Sequence, residues 1–305
     1  MFSVKIAKTL LITLIGVMVT HARAYPQDPK QAAPGHQRIL FDSGRDGNAG
    51  IYVMDPDGSN PQRLTHGPGD AVGPAWSPDR QKIAFSAIRE GHEEIYVMDS
   101  DGSNPQQLTR TVGKDSANPS WSPDGTRIAF ESNRDRAFPN RDGDREIYDI
   151  YVMDADGSHV QRVTRTGGAG VAENPDWSPD GKRIAFDQGD LYVIDPDGSN
   201  LRRLTETPVE TSHPMWSPDG KRIAFQSARD GSLEIYTMNA DGANVRQLTT
   251  TPVGRSLLPD WSPDGTQIAF VSERDGNMEI YVMNVDGSNL RNLTLNGARD
   301  AHPNW

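Results

Sequence analysis

The sequence predicts an all-β protein: a six-bladed β-propeller of four-stranded antiparallel blades, its ring closed by the C-terminal strand joining the N-terminal blade. Three observations lead there. All six tryptophans (Trp76, Trp121, Trp177, Trp216, Trp261 and Trp305) end the same word, P-x-W, at spacings of 45, 56, 39, 45 and 44 residues. A period near 44 is the length of a propeller blade. Each period carries four short segments rich in β-branched and aromatic residues, bounded by turn formers. Finally, the repeat starts on a second segment near Ile39 and stops on a lone first segment ending at Trp305. Six of each segment type are then present, and the last can complete the blade the first begins. A closed ring hides the edges an open array would expose.

Taken in order, residues 1–24 read as a signal peptide. Lys5 and Lys8 give a positive start, an apolar stretch spans 9–20, and Ala22-Arg23-Ala24 is a small-x-small cleavage pattern. That apolar stretch is short of the about 20 residues a bilayer span needs, so no membrane insertion is expected after cleavage. Residues 25–37 form a short linker, and residues 38–305 are the propeller. Within each repeat the first strand is P-x-W and the second is I-A-F, as in Ile83-Ala84-Phe85. The third is I-Y-V-M-[D/N], as in Ile95 to Asp99, and the fourth ends in L-T, as in Leu108-Thr109.

The joints carry their own chemistry. Ser-Pro-Asp-Gly links the first strand to the second: proline presets φ, aspartate caps locally and glycine takes the positive-φ position. Arg80 stands where that glycine belongs in one copy, which predicts a strained turn or one of another type. Arg-Asp-Gly links the second strand to the third, and Asp-Gly-Ser-Asn the third to the fourth. The alternate carboxylates of D-x-D-G-S-N suit a hard cation, but the third acidic position and distal glutamate of a calcium-binding helix–loop–helix are lacking. Hairpin joints explain six such turns better, and no cofactor or metal is expected.

Composition narrows the function. The net charge is −11; without Lys5, Lys8 and Arg23, 28 basic against 42 acidic residues leave −14. No basic run offsets it, which argues against a nucleic-acid partner. There is no cysteine, so disulfides, thiolate metal sites and cysteine nucleophiles are excluded.

The W-S-P-D-G…I-A-F…I-Y-V-M-[D/N]-x-D-G-S-N…L-T pattern resembles the WD40-like β-propeller repeat of the TolB family over residues 38–305. The resemblance implies a six-bladed propeller in the bacterial periplasm. The family's namesake has an α/β domain ahead of its propeller and binds the lipoprotein Pal. Only about a dozen residues separate Ala24 from the first strand here, so that domain is not expected. Similar repeats occur beside prolyl-peptidase domains, but no G-x-S-x-G nucleophile elbow is present.

Alternate joints of a meander fall on opposite ends of the blade. One end repeats SPDG and DGSN nearly unchanged. The other varies between copies, as at 66–73, 165–174 and 295–302, and differences between copies are where a specific site can be written. A 12-residue excess within 131–149 also lies on that end, beside a blade five residues short. The residues before each P-x-W are expected to ring the channel mouth, among them Asn118, Asn174, His213 and His302, with Asp115, Glu173, Glu210 and Asp300 close by. The long loop adds Arg134, Phe138, Arg141 and Tyr148, since aromatic and arginine side chains are common anchors. The expected function is a non-enzymatic periplasmic or secreted binding module, monomeric, presenting this face to a protein or peptide partner in the cell envelope. The alternative is an enzyme acting on an oligosaccharide or peptide, with the rim histidines and carboxylates as acid–base groups or, less expected, as ligands of a metal.

Overall fold

The computed structural model describes residues 37–135, 147–165 and 171–305. These form 24 strands in six four-stranded antiparallel sheets. In blades 2 to 6 the strands follow chain order from the axis outwards. Blade 1 instead orders Asp300–Asn304, Ile39–Ser43, Gly50–Met54 and Gln62–Arg63. The C-terminal strand is thus the innermost strand of the N-terminal blade, with Leu40 opposite Asn304 and Ser43 opposite Asp300. The expected closure holds.

Alternation within each strand builds the contacts between blades. In blade 2, Ile83, Phe85 and Met98 pack against Leu40, Ile51, Val53 and Leu64 of blade 1. The intervening Ala84, Ile95 and Val97 pack against Trp121, Ile128, Phe130 and Tyr151 of blade 3. Each blade thus sets a bulky aromatic face onto the smaller face of its predecessor, and six such clusters complete the circle. Across the second and third strands, Phe and Tyr rings pair in every blade, with centroids 5.6 to 5.9 Å apart, stacked in four blades and tilted in two.

The repeated joints have local reasons. In the DGSN turn, Asp101 accepts the Ser103 N–H and Asp99 accepts from Asn104. Gly102 takes φ +87°, and a Cβ there would lie 2.6 Å from the Leu64 carbonyl oxygen of the preceding blade. Both its backbone angle and its packing therefore demand glycine. In Arg-Asp-Gly, Arg229 stacks over Phe225 and Tyr236 while Asp230 accepts the Tyr236 hydroxyl (2.5 Å). Arg80 adopts φ +59°, close to the +67° to +69° of the equivalent glycines. The turn keeps its type and carries the strain, about 1–2 kcal/mol for a side chain in this region.

Candidate functional site

Each innermost strand contains an irregularity just before its proline. The pairing register shifts at this point in all six blades. Gly73, Asn118, Asn174, His213, Leu258 and His302 all sit at φ between +47° and +58°. Glycine and asparagine accept this conformation readily, whereas His213, Leu258 and His302 hold it at a cost. The bulge turns the pre-proline N–H away from its own sheet. At five sectors an acceptor comes from the preceding blade, from the residue following the I-A-F phenylalanine. Gly73 donates to Asp42 (3.2 Å), Asn118 to Ser86 (3.1 Å) and Asn174 to Glu131 (2.7 Å). His213 donates to Asp187 (3.0 Å) and Leu258 to Gln226 (2.9 Å). At the sixth sector Val271 stands in that position and offers no acceptor.

These six residues form the inner end of a funnel along the ring axis, about 900 Å³ in volume. Its wall continues through each Pro-x-Trp to Ser77–Arg80, Pro218 and Pro263. The funnel therefore opens on the face of the Ser-Pro-Asp-Gly turns. Asn118, Asn174, His213 and His302, expected at the channel mouth, do line the channel, in a cavity that extends from them towards the repeated end. The strand geometry accounts for this. The pre-proline residue lies in the interior of the innermost strand, and the chain has three more residues to run, through the tryptophan, before the turn.

The other expected residues separate into groups. Asp115 accepts the Glu93 N–H (2.9 Å) and lies 3.4 Å from the Tyr148 hydroxyl, so these two candidates do meet. Asp300 is buried and bound to Arg45 (2.9 Å) and Asn296 (2.6 Å), which makes it part of the closing strand's anchorage. Arg134 lies over Phe130 and Tyr151 and donates to Ser132 and Ser116. It occupies the same slot as Arg45, Arg229 and Arg274, so its position belongs to the repeat. Glu173 is half-buried on an innermost strand and Glu210 is exposed in a loop on the varied face. Phe138 and Arg141 lie outside the described residues.

The electrostatics of the channel come from its buried acids. Asp42 is fully buried; burial would raise its carboxyl pKa, but the His302 imidazole, Arg299 and the Gly73 N–H outweigh it and hold it below the usual range. His302 donates Nδ1–H to Asp42 at 2.6 Å. Burial raises Glu131 to about 8, helped by Glu173, and Asp187 to about 7. Burial likewise raises Asp176 to about 7 and Asp260 to about 8. Asp176 lines the cavity and is half-buried. His213 is pushed down to about 3 by burial and the nearby His302, and its buried Nδ1 has no hydrogen-bond partner. Among the described residues no three His, Asp or Glu side chains are grouped to hold a metal ion.

A pH dependence follows. The four raised carboxyls take up protons in the folded chain at a pH where the unfolded chain leaves them ionised. Stability therefore rises as pH falls from about 8.5 to about 6.5. Below about 6.5 His213 opposes this, because the unfolded imidazole charges while the folded one stays neutral. Thermal melts are expected to show the rise, and Asp260→Asn to reduce it. An unchanged slope in that variant would mean that Asp260 is ionised throughout.

A closed ring of six four-stranded blades around a polar-floored funnel defines the class, a β-propeller with an axial site. The family model of the TolB beta propeller domain matches residues 66–186 and 169–254, and the chain belongs to that family. No curated protein matches it. Among solved structures, TolB from Acinetobacter baumannii is similar at 24% identity and TM-score 0.75, covering 90% of this chain and 67% of that one. A TolB-type protein from Agrobacterium tumefaciens is 24% identical with TM-score 0.67, covering 86% and 91%. An oligogalacturonate lyase in complex with manganese is 20% identical with TM-score 0.60, covering 85% and 74%. At these identities the likeness is one of fold.

Proposed function

We propose that this chain is a binding module of the bacterial periplasm that takes a segment of a protein partner into its axial funnel. The observation that carries this is the funnel itself. It is large enough for several residues of extended chain, walled by proline and tryptophan, and floored by polar side chains, the usual make-up of a recognition site. Membership of the TolB propeller family supports a protein partner in the envelope. The test is a photo-crosslinking residue placed in intact cells at Met215 on the funnel wall, or at the exposed Val112 on the opposite face. Adducts with an envelope protein from position 215 support the reading. Adducts from position 112 alone would move the partner to the varied loops and sink it.

The His302–Asp42 pair favours a second reading. A buried carboxylate holding an imidazole Nδ1–H is the arrangement of a general base. Turnover of an oligosaccharide or peptide by the intact chain, lost in His302→Gln, would establish it. Turnover that survives the substitution would remove His302 from the chemistry.

A further inference from the structure

The middle residue of P-x-W differs in every sector except two: Ala75, Ser120, Asp176, Met215, Asp260 and Asn304. All six line the funnel. Where it can, this residue accepts the tryptophan N–H of the following blade. Asn304 accepts from Trp76 (2.8 Å), Asp176 from Trp216 (2.7 Å) and Asp260 from Trp305 (2.5 Å). The neutral amide of Asn304 performs the same structural task as the two aspartates, and Ala75 and Met215 show that a sector closes without any acceptor. The acid function of Asp176 and Asp260 is therefore surplus to the architecture, and it carries a full negative charge only above the raised pKa that burial gives each, about 7 and about 8. It is also costly, since both carboxyls are desolvated. Among the described residues neither forms an ion pair.

Arginines lie over four tryptophans of this wall, Arg80 over Trp76, Arg127 over Trp177, Arg183 over Trp216 and Arg222 over Trp261, and of these Arg80 also lines the funnel. Arg80, at the positive-φ position that glycine holds in the equivalent turns, stacks over Trp76 with its guanidinium carbon 5.2 Å from the ring centroid. It donates to the Arg38 carbonyl oxygen (3.3 Å) and lies within electrostatic reach of Asp260. Among the described residues no cation acts on the Asp176 carboxyl in this way. Between the carboxylates the wall is aliphatic, through Met215, Leu258 and the prolines. The indole N–H groups of Trp121, Trp177, Trp216 and Trp305, in side chains more than nine-tenths buried along the same wall, have no acceptor. Unmatched carboxylates call for a cation, and an aliphatic wall suits its stem.

Resting on the binding-module reading, we propose that the funnel selects a partner segment carrying a long basic side chain, lysine or arginine, whose charged end sits between Asp176 and Asp260. The chain's net charge of −11 favours approach by a basic segment.

All six tryptophans lie in the funnel wall, so their indole ¹⁵N–¹H signals report its occupancy. At about pH 9, where both carboxyls are ionised and lysine is still charged, the full chain is titrated with acetyl-Gly-Lys-Gly-amide and with its norleucine and glutamate counterparts. The lysine peptide is expected to shift these signals saturably, binding about tenfold tighter than the other two. The double variant Asp176→Asn/Asp260→Asn is expected to melt no lower than the parent, because asparagine keeps the N–H contact, and to bind the three peptides alike. Equal binding of lysine and norleucine peptides by the parent overturns the proposal, as does the absence of any shift. A double variant that melts lower shows the charges to be structural and overturns it too. None of these results depends on the crosslinks at position 215, which test the binding-module reading separately.

Discussion

Removing residues 300–305 is expected to abolish the cooperative fold. The deletion takes away the innermost strand of blade 1 and, with it, Ala301 and Trp305 from the cluster joining blades 6 and 1. The loss of a buried tryptophan alone costs about 3–5 kcal/mol, against a net stability of about 5–15 kcal/mol for an ordinary domain. The deletion also bares the backbone edge of Ile39–Ser43, a template for association with other chains. The truncated chain is expected to be insoluble or to lack a sharp thermal transition. A soluble product melting like the parent would show that the ring does not depend on its last strand.

Trp216→Ala carries the second largest expected effect. The side chain is 5% exposed and packs in the cluster between blades 4 and 5 with Phe225, Tyr236 and Met238. Its removal leaves a void that rigid strands on either side cannot fill, so about 3–5 kcal/mol is expected, lowering the melting midpoint by roughly 10 °C. Trp76, half-buried and covered by Arg80, provides the control: Trp76→Ala is expected to cost less. Equal losses in calorimetry would show that burial does not set the contribution of these rings.

The architecture was readable because each repeat spells out its own strands and turns. The tryptophan period gave the blade, Ile-Ala-Phe gave the alternation, and the ends of the repeat gave the closure. The site was less readable, for a physical reason. Variation between copies is conspicuous in the loops, while the variation that shapes the channel is hidden inside strands. The residue after the I-A-F phenylalanine changes from Asp42 to Ser86, Glu131, Asp187, Gln226 and Val271, and the middle residue of P-x-W changes likewise. Aligning the copies position by position would have exposed both sets. Arg80 was visible as an anomaly of turn chemistry, but only the fold shows its guanidinium on a tryptophan in the funnel wall. Arg134 stood out as a loop arginine, yet it repeats Arg45, Arg229 and Arg274, so its recurrence pointed to packing. The bulge before each proline has no sequence mark, because glycine, asparagine, histidine and leucine share no common propensity.

The pre-proline hydrogen bonds all run one way around the molecule, each blade holding the next, and the relay stops at Val271. His302 and Arg299 turn instead to Asp42 within their own blade. The circle accordingly has a grain and one weak stitch, located where its two ends were sewn together. Amides of Asp300–Asn304 are expected to exchange with deuterium ahead of those in the five corresponding strands, so that thermal breathing begins as a crack at this seam; uniform exchange would mean that packing alone bears the strain of closure.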